Sequence, residues 1–573
     1  MRARVPLFVL FRPQWRRCYS SPTEITTIVG RVHKPSYELI KIGPSQDAIH
    51  RLNSCQWGFE TLEARRAAGI KLDDTVVEQM RAWLRRIGHK PSDLDRLNVV
   101  HVAGTKGKGT TCAFVNSILT RCSKTLGVPA KVGLYTSPHL CSVRERIRIN
   151  SEPLTEAQFT KYFFEVWNSL EKTAKRQGLD PALKPVYFRF LTLVSFHAFL
   201  REGVDTAVYE AGVGGELDST NVFERPAATG ITTLGIDHVE SLGETIDKIA
   251  WHKAGILKTG SPAFSVRQLP GAETVLRERA EEKGVRIQWV DPNPGLQNVK
   301  IKPAEDFQVK NASLAVALTT TVLKKLNVHI AETPDPLDLN DEKGLRAKAR
   351  LVVRKPSPNG AAQPSTNNTL SSSQPTNLPD EYVRGLEDVV WRARCETKIC
   401  GDQRYYFDGA HTEESLQVAS SWFGKLALER QVPRILIFNQ QSLRNAVSLI
   451  RTVHHTLYDT YKVDFQHVIF CTNITYSDNK YKPDFVNHNA DPEAVKSLTH
   501  QNMLRDEWHS FDPNAEVLVM PTIEDAQKRV EEISKEKGEV QTLVTGSFHL
   551  VGGFISILEG QDYGLKSTTP KDE

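Results

Sequence analysis

The residues best suited to chemistry lie in one stretch, 98–110, which reads NVVHVAGTKGKGT. Its short valine-rich run stops at a loop made of Gly104, Thr105, Lys106, Gly107, Lys108, Gly109 and Thr110. A helix-like apolar spacing follows in TTCAFVNSIL. A glycine loop between a strand and a helix leaves backbone N–H groups unpaired at the positive end of the helix dipole. With two lysines added, the loop predicts a polyphosphate site in which Thr110 offers its hydroxyl to Mg²⁺; the alternative is a loop that merely turns the chain.

Three polar clusters downstream of the loop each follow a strand-like run. Ser137 lies in YTSPHL with Arg144 and Arg146 shortly after, Glu210 lies near the end of TAVYEAG, and Asp237 precedes His238. Taken singly, each is typical of a structural or solvated residue. Together, a hydroxyl, a carboxylate and an imidazole at successive strand ends predict a divalent-cation site beside the phosphates, and the mostly oxygen ligands favour Mg²⁺ over Zn²⁺.

The elements that must position these residues alternate between strand and helix. Strand-like runs such as KVGLY, DTAVYEAG and AATGITTLGID are separated by helix-like segments. This alternation predicts an α/β fold, a mostly parallel P-loop-type sheet covered by helices on both faces, with ligands at the carboxyl ends of its strands. Apolar spacing also predicts helices over 45–65 and 76–87 ahead of the loop.

A length of 573 residues predicts at least two domains. We assign 36–331 to the first domain. Residues 332–380, rich in Ser, Thr, Asn, Gln and Pro, predict a disordered insertion or linker. The alternation resumes over 381–573, which predicts a smaller Rossmann-like α/β domain whose glycine-bearing strand ends, FDGAH and VTGSFHLVGG, face a ligand cleft.

The first 35 residues differ in composition from the rest. They are rich in arginine and carry no acid before Glu24, which predicts a mitochondrial transit peptide; a secretory signal and a disordered basic tail are the alternatives. The eight cysteines form no CxxC pair, which favours reduced thiols. We therefore expect a location in the mitochondrial matrix, the cytoplasm or both.

Charge and hydropathy bear on the partners. The net charge of +5 is small for this length and lies partly in the first twenty residues, so we expect no nucleic-acid partner. No apolar run reaches the length of a membrane span.

Six motifs, in order, resemble the folylpolyglutamate synthase family of the Mur ligase superfamily. They are GTKGKGT, YTSPHL, EAGVGGELDSTN, GIDHVESLGETIDKIAWHKAGILK, FDGAHTEES and VTGSFHLVGG. The segment before the loop, SYELIKIGPSQDAIHRLNSCQWGFETLEARR, is similar to the amino-terminal helix of the eukaryotic enzymes. The resemblance spans 36–553 apart from the low-complexity insertion.

The resemblance implies an ATP-dependent ligase that adds L-glutamate in γ-linkage to reduced folates. It implies small-molecule substrates and Mg²⁺ as cofactor, and it admits a monovalent cation. We also expect a monomer. Ser137, Glu210 and His238 fall at magnesium positions, with Lys108, His238 and Lys253 as catalytic residues. Lys253, which spacing alone would place on a helix surface, falls at the lysine that becomes carbamylated. Besides the loop, the resemblance assigns nucleotide contacts to Asn311, Arg394 and Asp408, and a place near the pterin to Asp218.

The second domain departs from the family where it should contact ATP. The expected Trp-Pro-Gly-Arg is WRAR at 391–394, and QQSLRN follows RILIFN where relatives carry a Gly-Asp-Arg-Asp-like run. Two alternatives therefore stay open. One is a dihydrofolate synthase acting on dihydropteroate, and the other is a catalytically weakened relative that binds folate or nucleotide.

Overall fold

The computed structural model describes residues 29–31, 43–69, 75–328, 378–440, 443–478 and 482–560. They form two α/β domains, each built on a mostly parallel sheet. Residues 1–28 of the predicted leader and 332–377 of the predicted insertion lie outside the described residues. The predicted fold class is confirmed.

The first domain contains an eight-stranded sheet and a small two-stranded one. Its strands are β1 (Val29–Arg31), β2 (Val100–Ala103), β3 (Val132–Tyr135), β4 (Ile147–Ile149), β5 (Glu152–Pro153), β6 (Leu183–Pro185), β7 (Thr206–Glu210), β8 (Ala228–Ile231), β9 (Ala263–Val266) and β10 (Ile287–Val290). The large sheet has the order β10-β9-β8-β2-β7-β3-β4-β5, and only β4 and β5 run antiparallel to their neighbours. Its carboxyl edge therefore brings together the residues that follow β2, β7, β3 and β8.

Helices cover both faces of this sheet. They are α1 (Pro44–Asn53), α2 (Phe59–Ala67), α3 (Val76–Arg86), α4 (Lys108–Leu126), α5 (Glu156–Gln177), α6 (Tyr187–Glu202), α7 (Val239–Leu242), α8 (Ile246–Ala254), α9 (Pro270–Glu282) and α10 (Asp306–Lys325). One core packs α4 and α10 on the sheet, and another packs α5 and α6 on its opposite face. Strands β2, β3, β7 and β8 are buried throughout, as expected for parallel strands covered on both faces.

The second domain has a six-stranded sheet of order β11-β12-β16-β13-β14-β15 in which only β11 is antiparallel. Its strands are β11 (Glu396–Cys400), β12 (Gln403–Phe407), β13 (Arg434–Phe438), β14 (His467–Cys471), β15 (Glu516–Met520) and β16 (Val540–Thr545). The remaining helices are α11 (Asp380–Glu387), α12 (Glu413–Ala427), α13 (Leu443–His455), α14 (Pro492–Lys496), α15 (Thr499–Phe511), α16 (Ile523–Lys537) and α17 (Phe548–Glu559). None of the helices that the structure describes combines the length and apolar character of a membrane span.

The single helix predicted over 45–65 is wrong, because the chain forms α1 and α2 with a break between them. The Cys55 carbonyl accepts a hydrogen bond from the Tyr187 amide (3.0 Å), and Gly58 is extended (φ −73°, ψ 161°). A tertiary contact with α6 therefore ends α1, and apolar spacing alone carries no sign of it.

Two structured segments lie outside the domain limits that we set. Residues 29–31, placed in the leader, pair as β1 with β6. Helix α11, placed mostly in the second domain, packs on α4 of the first, where a Cβ added at Gly385 would lie 2.7 Å from Ile118 Cα. Tyr382 and Leu386 belong to the same apolar core as α4, so the second domain begins after α11.

Candidate active site

A cleft of about 930 Å³ lies between the two domains at the carboxyl edge of the first sheet. The predicted site residues that line it are Thr105, Lys106, Gly107, Lys108, Gly109, Thr110, Ser137, Glu210, Asp218, His238, Asn311, Arg394 and Asp408. Gly104 and Lys253 are buried and do not line it. The structure thus gathers residues that are up to about three hundred positions apart in the chain at one cleft.

The glycine loop has no room for side chains at two of its positions. Gly104 has φ +153°, and a Cβ there would lie 1.8 Å from Thr232 Oγ1. Gly107 has φ +84°, and its Cβ would lie 2.2 Å from Asn311 Oδ1. The close fit of Gly107 against Asn311 brings a predicted nucleotide contact directly to the loop.

The backbone N–H groups of the loop are only partly available. Those of Thr105 and Lys106 both donate to the Thr233 carbonyl (3.0 Å each), so the prediction that the whole loop leaves its amides unpaired is wrong there. Helix α4 begins at Lys108 and the Thr111 amide already donates to the Gly107 carbonyl. The first-turn amides of α4, which a helix leaves without a carbonyl partner, are therefore the ones that can bind an anion.

Gly107→Ala should weaken nucleotide binding by about tenfold or more, because the left-handed backbone disfavours a side chain by roughly 1–2 kcal/mol and Asn311 must also move. Titration with an ATP analogue measures the change. Gly127→Ala is the matched control, since Gly127 ends the same helix at φ +70° with no atom within 4 Å of its added Cβ. That control should lose stability but keep its affinity for nucleotide, and equal affinities in the two variants would contradict the role of the loop.

The three predicted magnesium positions occupy the same cleft. The Ser137 amide donates to Glu210 Oε2 (3.0 Å), which joins the ends of β3 and β7. Burial raises the pKa of Glu210, and the positive charge of Lys108 opposes that rise. Burial lowers the pKa of His238 to about 4, against the opposing charge of Asp237, so this imidazole is neutral at pH 7.

Within the described ranges, no group of three or more His, Cys, Asp or Glu side chains is arranged to hold a metal ion. Glu210 and His238 supply only two such side chains, and Ser137 adds a hydroxyl. A cation in this cleft would therefore need further oxygen ligands, such as the phosphates predicted for the neighbouring loop.

Lys253 lies on α8 and is 1% exposed, which excludes the surface position that spacing alone would give it. Burial lowers the pKa of Lys253 to about 7, and the charge of Lys108 adds to the effect. Asp237 and Asp218 oppose the shift. A substantial fraction of this amine is thus neutral near pH 7, unlike that of an ordinary lysine.

Asp218 is buried at the edge of the cleft and holds its own loop. Its carboxylate accepts hydrogen bonds from the Val213 amide (2.9 Å) and from the amide and hydroxyl of Thr220 (2.9 and 2.6 Å). The carboxylate thereby fixes the glycine-rich turn after β7 against the cleft wall.

Arg394 and Asp408 enter the cleft from the second domain. The Arg394 guanidinium stacks 4.3 Å from the centre of the Phe548 ring. Asp408 accepts hydrogen bonds from the amides of Cys395 (2.8 Å) and Ala410 (2.9 Å). Burial raises the pKa of Asp408, and the charge of Arg394 opposes it.

The altered WRARCE segment keeps a left-handed turn although it lacks glycine. Ala393 has φ +58° and Cys395 has φ +46°, conformations that cost roughly 1–2 kcal/mol for a residue with a Cβ. Asp408 holds this strained turn through its bond to the Cys395 amide. Arg394 is thereby placed in the cleft despite the substitutions, while 441–442 of QQSLRN lie outside the described residues.

Three residues that we did not predict as site residues also contribute. Thr412 is the first, because its Oγ1 accepts a hydrogen bond from Lys106 Nζ (2.7 Å), which also lies 3.4 Å from the Asp237 carboxylate. Trp391 is the second, because a Cβ added at Gly109 of the loop would lie 3.2 Å from its ring. Phe548 supports Arg394. Thr412 and Phe548 lie just after strand ends, the same signal that pointed to the first-domain residues, whereas the position of Trp391 depends on contacts between the domains.

Comparison with known proteins gives extensive matches in sequence. No family model matches the chain. The chain is 48% identical over 524 residues to the folylpolyglutamate synthase of Neurospora crassa, and the alignment covers 90% of this chain and 92% of that protein. It is 40% identical over 524 residues to the folylpolyglutamate synthase of Saccharomyces cerevisiae, and this alignment covers 90% of this chain and 87% of that protein.

Solved structures share the fold. The apo form of L. casei FPGS matches with a TM-score of 0.60 at 19% identity, over 90% of this chain and 100% of that one. Mycobacterium tuberculosis folylpolyglutamate synthase complexed with ADP matches with a TM-score of 0.60 at 20% identity, over 90% and 99% of the two chains. An FPGS-AMPPCP-folate complex matches with a TM-score of 0.55 at 20% identity, over 88% and 100% of the two chains.

Proposed function

The chain belongs to the folylpolyglutamate synthase family, and we propose that its interdomain cleft performs the ATP-dependent addition of L-glutamate, in γ-linkage, to reduced folates. The observation that carries this proposal is the match of 48% identity over 90% of the chain, together with one cleft that contains the glycine loop, Glu210, Arg394 and Asp408. The chain is a ligase that forms a carbon–nitrogen bond.

The chemistry requires an activated carboxylate. A free carboxylate is a poor acylating agent, so the terminal γ-carboxylate of the folate first attacks the γ-phosphorus of ATP to give an acyl phosphate and ADP. The deprotonated amine of glutamate then attacks the acyl carbon, an amide bond forms, and phosphate leaves. The first-turn amides of α4 and the Lys108 ammonium would stabilise negative charge on the phosphoryl group during transfer.

Mg²⁺ fits the residues at the end of β3, β7 and β8. Glu210 is a carboxylate, 5% exposed, whose burial disfavours its charge, so a cation beside it would restore the ionised form. Neutral His238 and the Ser137 hydroxyl complete the set that would hold the ion. When bound, the ion would offset the charge of the ATP phosphates.

We also propose that Lys253 is carbamylated. A neutral amine adds CO₂ and loses a proton to give a carbamate, which converts a buried cation into an anion. Lys253 suits this reaction because burial and the charge of Lys108 bring its pKa to about 7. The resulting carboxylate would counter Lys108 and could serve as a further oxygen ligand.

A coupled ATPase assay with two folate substrates tests the function. We expect ADP release that requires both monoglutamyl tetrahydrofolate and L-glutamate, and no turnover of dihydropteroate. Turnover of dihydropteroate instead would identify a dihydrofolate synthase. No folate- and glutamate-dependent ADP release would leave only a weakened relative, an outcome that the retained Arg394 and Asp408 argue against.

Location and assembly complete the proposal. We propose a monomer. We also propose that it is located in the mitochondrial matrix, the cytoplasm or both, and the arginine-rich composition of residues 1–35 supports the matrix location. A fluorescent reporter fused to that segment tests the matrix location, and a wholly diffuse cytosolic signal would refute it.

A further inference from the structure

Arg146 is a cation in the cleft to which the proposed chemistry gives no part. It lies in the turn before β4 and lines the same cavity as Ser137, Glu210 and Lys108. Its Nε donates to His139 Nδ1 (2.9 Å), and its guanidinium lies 5.6 Å from the centre of the Tyr187 ring. Its terminal nitrogens form no hydrogen bond or ion pair with the residues that the structure describes, so the two-donor fork is available to a ligand.

The sheet order places Arg146 one strand beyond the reacting groups. Along the carboxyl edge, the loop follows β2, Glu210 ends β7, Ser137 follows β3, and Arg146 precedes the antiparallel β4. The Thr136 amide donates to the Arg146 carbonyl (3.1 Å), which fixes this position. With about 4.8 Å between neighbouring strands, the backbone at Arg146 lies roughly 14 Å from that of the loop.

His139 fixes the direction of the Arg146 side chain. His139 Nε2 lies 2.9 Å from the Asp484 carbonyl oxygen, which can only accept, so Nε2 carries the proton. Nδ1 is then a lone-pair acceptor, as the bond from Arg146 Nε requires. The imidazole thus links Arg146 to the backbone of the second domain.

The second-domain segment that supplies the Asp484 carbonyl is tied to the first domain at several points. The Asp484 carboxylate accepts the Val143 amide (2.7 Å), and Asn53 Nδ2 donates to the Pro483 carbonyl (2.8 Å). Gln56 Nε2 donates to the Val486 carbonyl (3.0 Å). The orientation of Arg146 therefore depends on the two domains being in the arrangement seen here.

We infer that Arg146 binds the α-carboxylate of the terminal glutamate of the folate substrate and so leaves the γ-carboxylate as the group that reacts. The inference rests on the proposed function. A planar guanidinium with two parallel N–H groups binds a carboxylate in bidentate fashion. The terminal glutamate carries two carboxylates, and the one nearer Glu210 and the loop must be the one that is phosphorylated. When Arg146 holds the α-carboxylate beside β4, the γ-carboxylate is the one that reaches the loop, so the product carries a γ-linkage.

Arg146→Gln in the full-length chain tests this assignment with two substrates. The KM for monoglutamyl tetrahydrofolate should rise about 10- to 100-fold, because the variant loses a charge-assisted pair of hydrogen bonds. The KM for the analogue that carries 4-aminobutyrate in place of the glutamate should not change, because that substrate has no α-carboxylate. Steady-state kinetics on one preparation give both values, so any loss of folded protein cancels in their ratio.

Arg148→Gln is the matched control. Arg148 lies two residues further along, on β4, but its nitrogens donate to the backbone carbonyls of Glu145 (3.1 Å) and Ser151 (3.2 Å). The KM ratio of the two substrates should stay as in the wild type in this variant. An Arg146→Gln ratio equal to that of the wild type would overturn the inference, whereas a wild-type chain without folate-dependent glutamate addition would instead refute the proposed function.

His139 variants test the positioning separately. Glutamine can accept from Arg146 with its oxygen and donate to the Asp484 carbonyl with its nitrogen, so His139→Gln should keep the preference for the glutamate substrate. His139→Phe can do neither and should reduce that preference by several-fold, with products of both linkages detectable by mass spectrometry after digestion. Equal preference in the Gln and Phe variants would show that His139 does not orient Arg146.

Discussion

Lys108→Ala should lower kcat by about a thousandfold while leaving the thermal unfolding temperature nearly unchanged. Lys108 is the first residue of α4, at the end of the glycine loop, and its Nζ lies 3.4 Å from the Thr105 carbonyl oxygen. Its charge opposes the rise in the pKa of Glu210 and helps to lower that of Lys253. Removing it takes a cation away from the predicted phosphate site without opening a cavity in the core. Steady-state ADP release and a thermal melt give the two quantities.

Lys124→Ala is the matched control for this change. Lys124 lies in the last turn of the same helix and is exposed, so its loss changes the net charge equally but leaves the cleft intact. We expect wild-type kcat from it. A Lys108→Ala enzyme with near-normal kcat would contradict the phosphate role of the loop, and one that fails to fold would assign Lys108 to stability instead.

The sequence was sufficient to predict that the glycine loop, Glu210 and His238 would meet at one cleft, because strand ends are local features. Gly104, Glu210 and His238 each follow a short apolar run, and parallel strands bring such positions to one edge of a sheet whatever the order of the strands. The second domain followed the same rule through Asp408. The family was identified from six motifs in order, and sequences 40–48% identical over 90% of the chain agree with it.

The features that were not predicted depend on contacts distant in the chain. The break between α1 and α2 comes from a bond to Tyr187, and the Thr105 and Lys106 amides are taken by the carbonyl of Thr233 on a neighbouring segment. At Ala393 the local sequence predicts the wrong backbone conformation, because an alanine disfavours the left-handed region that it occupies here (φ +58°). Asp408 keeps the turn by bonding the Cys395 amide, so a tertiary hydrogen bond offsets a local preference.

Lys253→Ala should lower kcat by about a hundredfold, and the active wild-type chain should carry the mass of one CO₂ on Lys253. The reason is that Lys253 is 1% exposed beside Lys108, where a cation is disfavoured and an anion is favoured. Mass spectrometry under conditions that preserve carbamates, together with steady-state kinetics, measures both effects. Lys258→Ala is the matched control, because burial also lowers the pKa of Lys258, to about 8, yet the charged groups that act on it are Lys283 and Glu216, not Lys108. It should keep wild-type kcat.

The pH dependence separates a carbamate from a plain neutral amine. Because the folded pKa of Lys253 is lowered to about 7, the amine is neutral above that pH and becomes protonated as the pH falls through it. Only the neutral amine adds CO₂, so kcat should fall below about pH 7, and added bicarbonate should move that fall to lower pH. His238, with a pKa of about 4, titrates too low to cause it. If bicarbonate does not move the acid limb and Lys253 carries no added mass in active enzyme, the lysine acts as an amine. Glu210 then remains the carboxylate whose pKa the charge of Lys108 affects.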